Sequence, residues 1–210
     1  MFERVLSTTT QRNLARIAET SLAERFYLGG GTAVALHLGH RRSYDLDFFT
    51  QEWDFPLDLP RRELAPLGEV EVIHQEGRTF IATLDGVQIS FFIYPYPLVD
   101  SLSMFEGLQV AGMSDLAAMK LDAISSRGTK RDFVDLYQIC QDAFSLPEAI
   151  RRFERKYADV RYSMVHLLKS LHYFQDAEPD PMPPMLIPLE WPEVKRFFED
   201  EVQRLMEELM

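Results

Sequence analysis

The segment FYLGGGTAVALHLGHRRSYDLDFF, from Phe26 to Phe49, constrains the fold of this chain more than any other stretch. It predicts a strand (Phe26, Tyr27, Leu28), a glycine turn (Gly29, Gly30, Gly31), and a helix from Thr32 to Leu38 stopped by Gly39. A second strand then carries Asp45 and Asp47. Side chains alternate along a strand, so these two carboxylates share one face, with Cα atoms roughly 7 Å apart. Leu46 and Phe48 point the other way, into a core. A glycine turn opening a helix offers unpaired backbone N–H groups and a positive dipole end, which suit a phosphate. Two carboxylates on the facing strand suit a divalent cation that bridges that phosphate. Set between Tyr44 and Phe48-Phe49, the pair would otherwise be an uncompensated charge on a buried sheet, which is costly. Together these residues describe a phosphoryl-transfer site.

The pattern resembles the nucleotidyltransferase fold of the DNA polymerase β superfamily, marked by a Gly-Gly or Gly-Ser turn followed by Asp-x-Asp. Within it, GGGTAVALHLGHRRSYDLDFF is similar to the AbiEii/AbiGii-type nucleotidyltransferase family, the toxins of certain toxin–antitoxin and phage-defence systems. A second block, MKLDAISSRGTKRDFVDLYQI (Met119 to Ile139), is similar to that family's downstream Lys and Arg-Asp-x-x-Asp-Leu motif. The resemblance spans residues 20 to 175 approximately. It implies an α+β fold with a small mixed sheet flanked by helices and a helical C-terminal half. It implies transfer of a nucleoside monophosphate from a nucleoside triphosphate to an acceptor hydroxyl, with Mg2+ or Mn2+. The acceptor would be a tRNA or a protein, and an antitoxin protein is the implied partner.

In that reading Asp45 and Asp47 hold the metal, and Gly29, Gly30, Gly31 and Thr32 cradle the triphosphate. Lys120 and Arg127 neutralise the departing pyrophosphate, and Asp132 orients or deprotonates the acceptor hydroxyl. His40 and Arg41 are expected to contact triphosphate or base. Ser43 shares the strand face of Asp45 and either bonds a phosphate or finishes a turn. One departure stands out. The superfamily's third carboxylate, on a later strand, falls here within GVQISFFIYPY at Ser90, leaving Asp85 or Glu52 as other sources of that oxygen. The alternative is therefore a catalytically weak nucleotide-binding module that acts through a protein partner.

Helical geometry bears on the second block independently. Leu116, Ala123 and Arg127 lie near Lys120 around one helix, which sets the lysine on an apolar face where it either snorkels or meets an anion, a phosphate being the natural partner, while Asp122 points to solvent. In the next helix Phe133, Leu136, Tyr137 and Cys140 form the buried arc, with Asp132 at its boundary. Asp135 falls nearly opposite and is expected to pair with Arg131 or Lys130, or to serve the helix N-terminus. Cys140 reads as packing.

At 210 residues with 46% apolar and 26% charged content, the chain can bury one ordinary core. No apolar run approaches a membrane span, and the N-terminus lacks a secretory pattern. A lone cysteine fits a reducing cytoplasm. The net charge of −11, spread over both halves, argues against a generic DNA-binding surface. Basic groups at His40-Arg41-Arg42 and Arg127-Lys130-Arg131 flank the proposed site. Expected organisation is a core with a mixed sheet over 1–112, a helical half completing the cleft over 113–175, and a linker with a C-terminal helix over 176–210. Within it, one helix covers 10–24 and a proline-bearing segment covers 55–66. Strands follow at 70–74, 79–84 and 87–94, and Pro95 and Pro97 end the sheet. Helices then run over 115–126 with Ser114 as N-cap, 131–144, 145–158 and 161–174. The last covers Trp191 to Leu209.

Overall fold

The computed structural model describes residues 1–208, so the expected helix end at Leu209 lies outside the described residues. Helix α1 (Thr8–Ala18) is capped by the Ser7 hydroxyl, which accepts from the Thr10 N–H, and it buries Leu14 and Ile17. The helix expected over 10–24 is in fact broken. The Thr20 hydroxyl donates to the Ile17 carbonyl and accepts from the Leu22 N–H. This local competition with the backbone ends α1 before a single turn, α2 (Leu22–Arg25), resumes.

Strand β1 (Tyr27–Leu28) runs straight into α3 (Gly30–Leu38), which is apolar nearly all round, with Ala33 to Leu36 buried. Gly39 leaves α3 at φ +67°, and its N–H donates to the Ala35 carbonyl at 2.7 Å. Strand β2 (Leu46–Thr50) follows. The proline-bearing segment contains a short helix that the sequence reading passed over, α4 (Leu59–Leu64), with Pro60 in its first turn.

Strands β3 (Val70–Glu76), β4 (Thr79–Leu84) and β5 (Val87–Ile93) form the expected meander. Asp85 and Gly86 turn β4 into β5 with φ of +49° and +80°, the geometry a two-residue hairpin demands. Pro95 and Pro97 do not end the sheet. A further hairpin, β6 (Ser103–Phe105) and β7 (Leu108–Val110), turns at Glu106-Gly107 and adds itself beside β1. The seven-stranded order is β3-β4-β5-β2-β1-β7-β6. Pairs β2–β5 and β1–β7 are parallel and the rest antiparallel. Strand β2 is thus central, and its register sets Asp47 beside Ser90 of β5.

The helical half comprises α5 (Met113–Ser126), α6 (Lys130–Asp142), α7 (Leu146–Lys156), α8 (Met164–Leu171) and α9 (Trp191–Glu208). Gly112, not Ser114, is the N-cap of α5; the Ser114 hydroxyl instead accepts from Arg152 Nε at 2.9 Å. The head of α5 is fixed by buried Asp115, which accepts from the Val99 and Asp100 N–H groups and from Lys156 Nζ at 2.6 Å. The segment after α8 wraps back across the loop behind α3. There the Arg42 N–H donates to the Pro184 carbonyl and the Leu186 N–H to the His40 carbonyl. Trp191 and Phe198 of α9 pack edge-on against Phe133 of α6. Among the described residues no helix is long and apolar enough to cross a membrane.

Candidate active site

The glycine turn meets the carboxylate strand directly. The Gly29 N–H donates to the Asp47 carbonyl at 2.8 Å. Gly30 has φ +60°, and a Cβ there would stand 2.5 Å from an Asp47 carboxylate oxygen. A Cβ on Gly31 would overlap the Arg41 guanidinium. Two charged side chains therefore lie flat against this backbone, which only glycine permits. The Thr32 hydroxyl donates to the Asp45 carbonyl and is bonded to the Ser43 hydroxyl at 2.7 Å. Thr32 and Ser43 are both buried, and together they lock the entry to β2 onto the first turn of α3.

Asp45 sits just before β2, with Arg131 Nη1 at 3.6 Å from its carboxylate. Asp47 is recessed beside the Ser90 hydroxyl. Burial, then the charge of Asp45, raises its pKa above the usual carboxylate range, against the opposing pull of Lys120, Ser90 and Arg127.

Helices α5 and α6 supply the opposite wall. Lys120 Nζ lies 2.9 Å from Asp132 and 2.7 Å from Asp135. Asp132 also accepts from Arg127 Nε at 3.1 Å and from the Thr129 hydroxyl at 2.7 Å. Asp135 accepts two hydrogen bonds from Arg41, at 2.6 and 2.8 Å, and lies 2.8 Å from His40 Nε2. Burial works against ionising these two aspartates. The charges of Lys120 and Arg127 on Asp132, and of Arg41 and Lys120 on Asp135, overcome it and hold both well below the usual carboxylate range. The same aspartates raise Lys120 above its usual value in spite of burial.

Three expectations are corrected here. Asp135 does not face solvent or pair with Lys130 or Arg131. It is 0% exposed, because α3 and the loop after it cover the polar side of α6. Lys130 turns away, to the carbonyls of Glu178 and Asp180. His40 is 1% exposed and lines no part of the cleft, so it faces Asp135 in place of a triphosphate or base. Asp85 and Glu52 are taken by Arg16 and Arg25 outside the cleft, so neither supplies a third carboxylate oxygen.

The two walls enclose a cleft with two lobes that share Gly31, Asp47, Phe92, Lys120, Arg127 and Asp132. The polar lobe, of about 340 Å3, adds Thr32, Arg41, Ser43, Asp45, Ser90 and Arg131. The aromatic lobe, of about 230 Å3, adds Phe49, Tyr94, Met119, Asp122 and Ser126. Asp122 is exposed, as read from the sequence, and it also borders the open side of the cleft. The available signal was its position, one turn from Met119 and from Ser126 along α5. Phe92 and Tyr94 were legible too, since a period of two from Ser90 places them on the same strand face.

In the polar lobe Arg41, Lys120, Arg127 and Arg131 are balanced by Asp45, Asp47 and Asp132, with Asp135 behind them. A formally neutral lobe has little attraction for a triphosphate until a cation joins the carboxylates. The donors fit one hard divalent ion: two carboxylates, one of them recessed without an ion-pair partner, and a hydroxyl beside it. Among the described residues no group of three or more His, Cys, Asp or Glu side chains forms a metal cluster.

Comparison with known proteins bears on the family and the fold. The family described as nucleotidyl transferase AbiEii toxin, type IV TA system, matches residues 12–208. An uncharacterized protein of Aquifex aeolicus (strain VF5) is 35% identical over 208 residues, covering 97% of this chain and 99% of its own. JHP933 of Helicobacter pylori superposes with a TM-score of 0.56 at 16% identity, over 99% of this chain and 91% of its own. MenT4, a nucleotidyltransferase toxin of Mycobacterium tuberculosis H37Rv, superposes with a TM-score of 0.55 at 16% identity, over 93% and 85%. The last two likenesses concern the fold.

Proposed function

We propose that this chain, which belongs to the AbiEii nucleotidyltransferase toxin family of type IV toxin–antitoxin systems, transfers a nucleoside monophosphate from a nucleoside triphosphate to an acceptor hydroxyl. The observation that carries this reading is the facing of Asp45 and Asp47 by Lys120 and Arg127 across one lobe floored by Gly31. The triphosphate lies along the polar lobe, against the N–H groups that open α3 and the positive end of that helix. The base enters the aromatic lobe between Phe92 and Tyr94 on one side and Met119 on the other.

Asp45 and Asp47, with the Ser90 hydroxyl alongside, would hold Mg2+ or Mn2+. When bound, the ion neutralises phosphate charge and polarises the reacting phosphoryl group. The acceptor oxygen bonds to the α-phosphorus, the bond to pyrophosphate breaks, and the hydroxyl proton passes to water. Lys120 and Arg127 stabilise the negative charge that gathers on pyrophosphate. Asp132 acts by holding those two cations and orienting the acceptor, since a carboxylate held so far below its usual range is a weak base. The segment 1–112 supplies the carboxylate wall, 113–175 the cationic wall, and 176–210 the strap and closing helix.

A cytoplasmic setting, where nucleoside triphosphates are present and the single thiol stays reduced, fits the reaction. The acceptor is a tRNA or a protein; the acidic chain favours one that does not need a broad basic surface. An antitoxin protein is the expected partner. The test is incubation with Mg2+ and each α-labelled triphosphate, with total tRNA or cell protein present. Labelled acceptor from the native chain and none from Asp47→Asn supports transfer. Saturable nucleotide binding with no labelled acceptor would favour the second reading, a binding module acting through a partner, which the serine at position 90 motivates.

A further inference from the structure

Each cation that lines the polar lobe has its own anion. Arg41 holds Asp135, Lys120 lies between Asp132 and Asp135, Arg127 holds Asp132, and Arg131 faces Asp45. Of these anions only Asp45 is also a candidate metal ligand. The Arg131–Asp45 pair differs in kind as well. At 3.6 Å it is past hydrogen-bonding range, and its side chains are 59% and 40% exposed, whereas Asp132 and Asp135 are buried. Such a pair is weak and easily exchanged. Arg131 stands in the first turn of α6, and among the described residues it forms no other ion pair.

We propose that Arg131 is an exchangeable stand-in for the metal, which occupies Asp45 until a divalent ion arrives and then turns to the phosphoryl oxygens of the triphosphate. This deepens the reading above and rests on the cleft holding a divalent ion and a nucleoside triphosphate. A divalent ion sits about 2 Å from a carboxylate oxygen and carries two charges. Arg131, held farther off and partly through solvent, yields Asp45 to it and is then repelled by it. No other anion of the lobe is open to Arg131, because Asp132 and Asp135 are already taken by Lys120, Arg127 and Arg41. The arriving triphosphate supplies one, and the planar fork of a guanidinium matches two phosphoryl oxygens. Lys120, Arg127 and Arg41 lose no partner when Asp45 is taken. Arg131 is therefore the cation whose hold on phosphate depends on the metal, and it couples loading of the ion to capture of the nucleotide. Before loading, it offsets the charge that Asp45 sets against Asp47.

The experiment compares the native chain with Arg131→Ala and Arg127→Ala. Mn2+ binding is followed by loss of the free-ion EPR signal. Binding of the four α,β-methylene nucleoside triphosphates is followed by calorimetry, in saturating Mn2+ and in chelator. With no nucleotide present, Arg131→Ala should bind Mn2+ about two- to fivefold more tightly than the native chain, the worth of one exposed ion pair removed as a competitor. Arg127→Ala takes the same charge from the same lobe but leaves Asp45 paired, so it should shift Mn2+ affinity less. In Mn2+, Arg131→Ala should bind the analogues about tenfold more weakly, and in chelator it should match the native chain. An Mn2+ affinity that does not rise in Arg131→Ala, or rises as much in Arg127→Ala, would overturn the exchange and leave the nucleotide site standing. So would analogue binding that is undiminished in Mn2+, or diminished as much in chelator. No binding of Mn2+ or of any analogue by the native chain would overturn both readings.

Discussion

Asp47 is held in a conflict that its neighbours escape, since burial and Asp45 both disfavour its charge. A carboxylate whose folded pKa is raised adds stability while protonated, and that contribution is lost as pH rises through the folded value. Near pH 7.5 and without metal, Asp47→Asn should therefore melt higher than the native chain, by roughly 2–4 °C per kcal/mol relieved. Mg2+ should raise the native melting point and leave the variant unmoved. Thermal melts in chelator and in Mg2+ check this, and a variant that melts lower would refute the metal assignment. Ser90 allows the reverse experiment. It is 2% exposed and in register with Asp47, so Ser90→Asp adds a third carboxylate, and a second recessed one, to the same wall. In chelator the variant should lose on the order of 2 kcal/mol or more. In Mg2+ it should regain that loss and bind the ion more tightly than the native chain. A loss that Mg2+ does not reverse would show that position 90 does not reach the ion. Asp135→Ala strands Arg41 and His40 and removes one of the two carboxylates of Lys120, and urea denaturation should show a loss of about 3–5 kcal/mol.

The first turn of α3 depends on a glycine whose backbone is left-handed and whose missing side chain makes room for Asp47. Gly30→Ala should cost about 1–3 kcal/mol in chemical denaturation and abolish Mg2+-dependent nucleotide binding, because the carboxylate must move. Retained binding would mean that the turn tolerates a side chain. This junction of strand, turn, helix and strand was legible in the sequence because its parts are contiguous and each has its own local signal. Lys120 was legible for a similar reason, as a cation on an apolar helical face that needs an anion. The anions turned out to be Asp132 and Asp135. Asp135 itself was misread because a helical wheel measures the apolar arc of one helix. It does not see a second layer, here α3 with Arg41, that buries the polar side through charge. The β6–β7 hairpin escaped notice because its strands are too short to show a period, and only Glu106-Gly107 marks the turn.

Acid should dismantle this fold through its centre. Asp132 and Asp135 are both held below their usual range, so the stability they give is present above the unfolded value of about 3.9 and is lost as pH falls through the folded values. Denaturant midpoints should drop steeply below about pH 4. In Asp135→Asn that acid slope should be shallower, and an equally steep slope would assign the effect to other carboxylates. The Arg41–Asp135 clasp joins residues 94 positions apart, and β1 pairs in parallel with β7. A ribosome adding about 5–20 residues per second needs several seconds to travel from one partner of that clasp to the other. Throughout that time the nascent chain carries its carboxylates with no cationic wall to face them. A chain that ends before α6 lacks Asp132 and Asp135, the two carboxylates that hold Lys120 in place across the cleft.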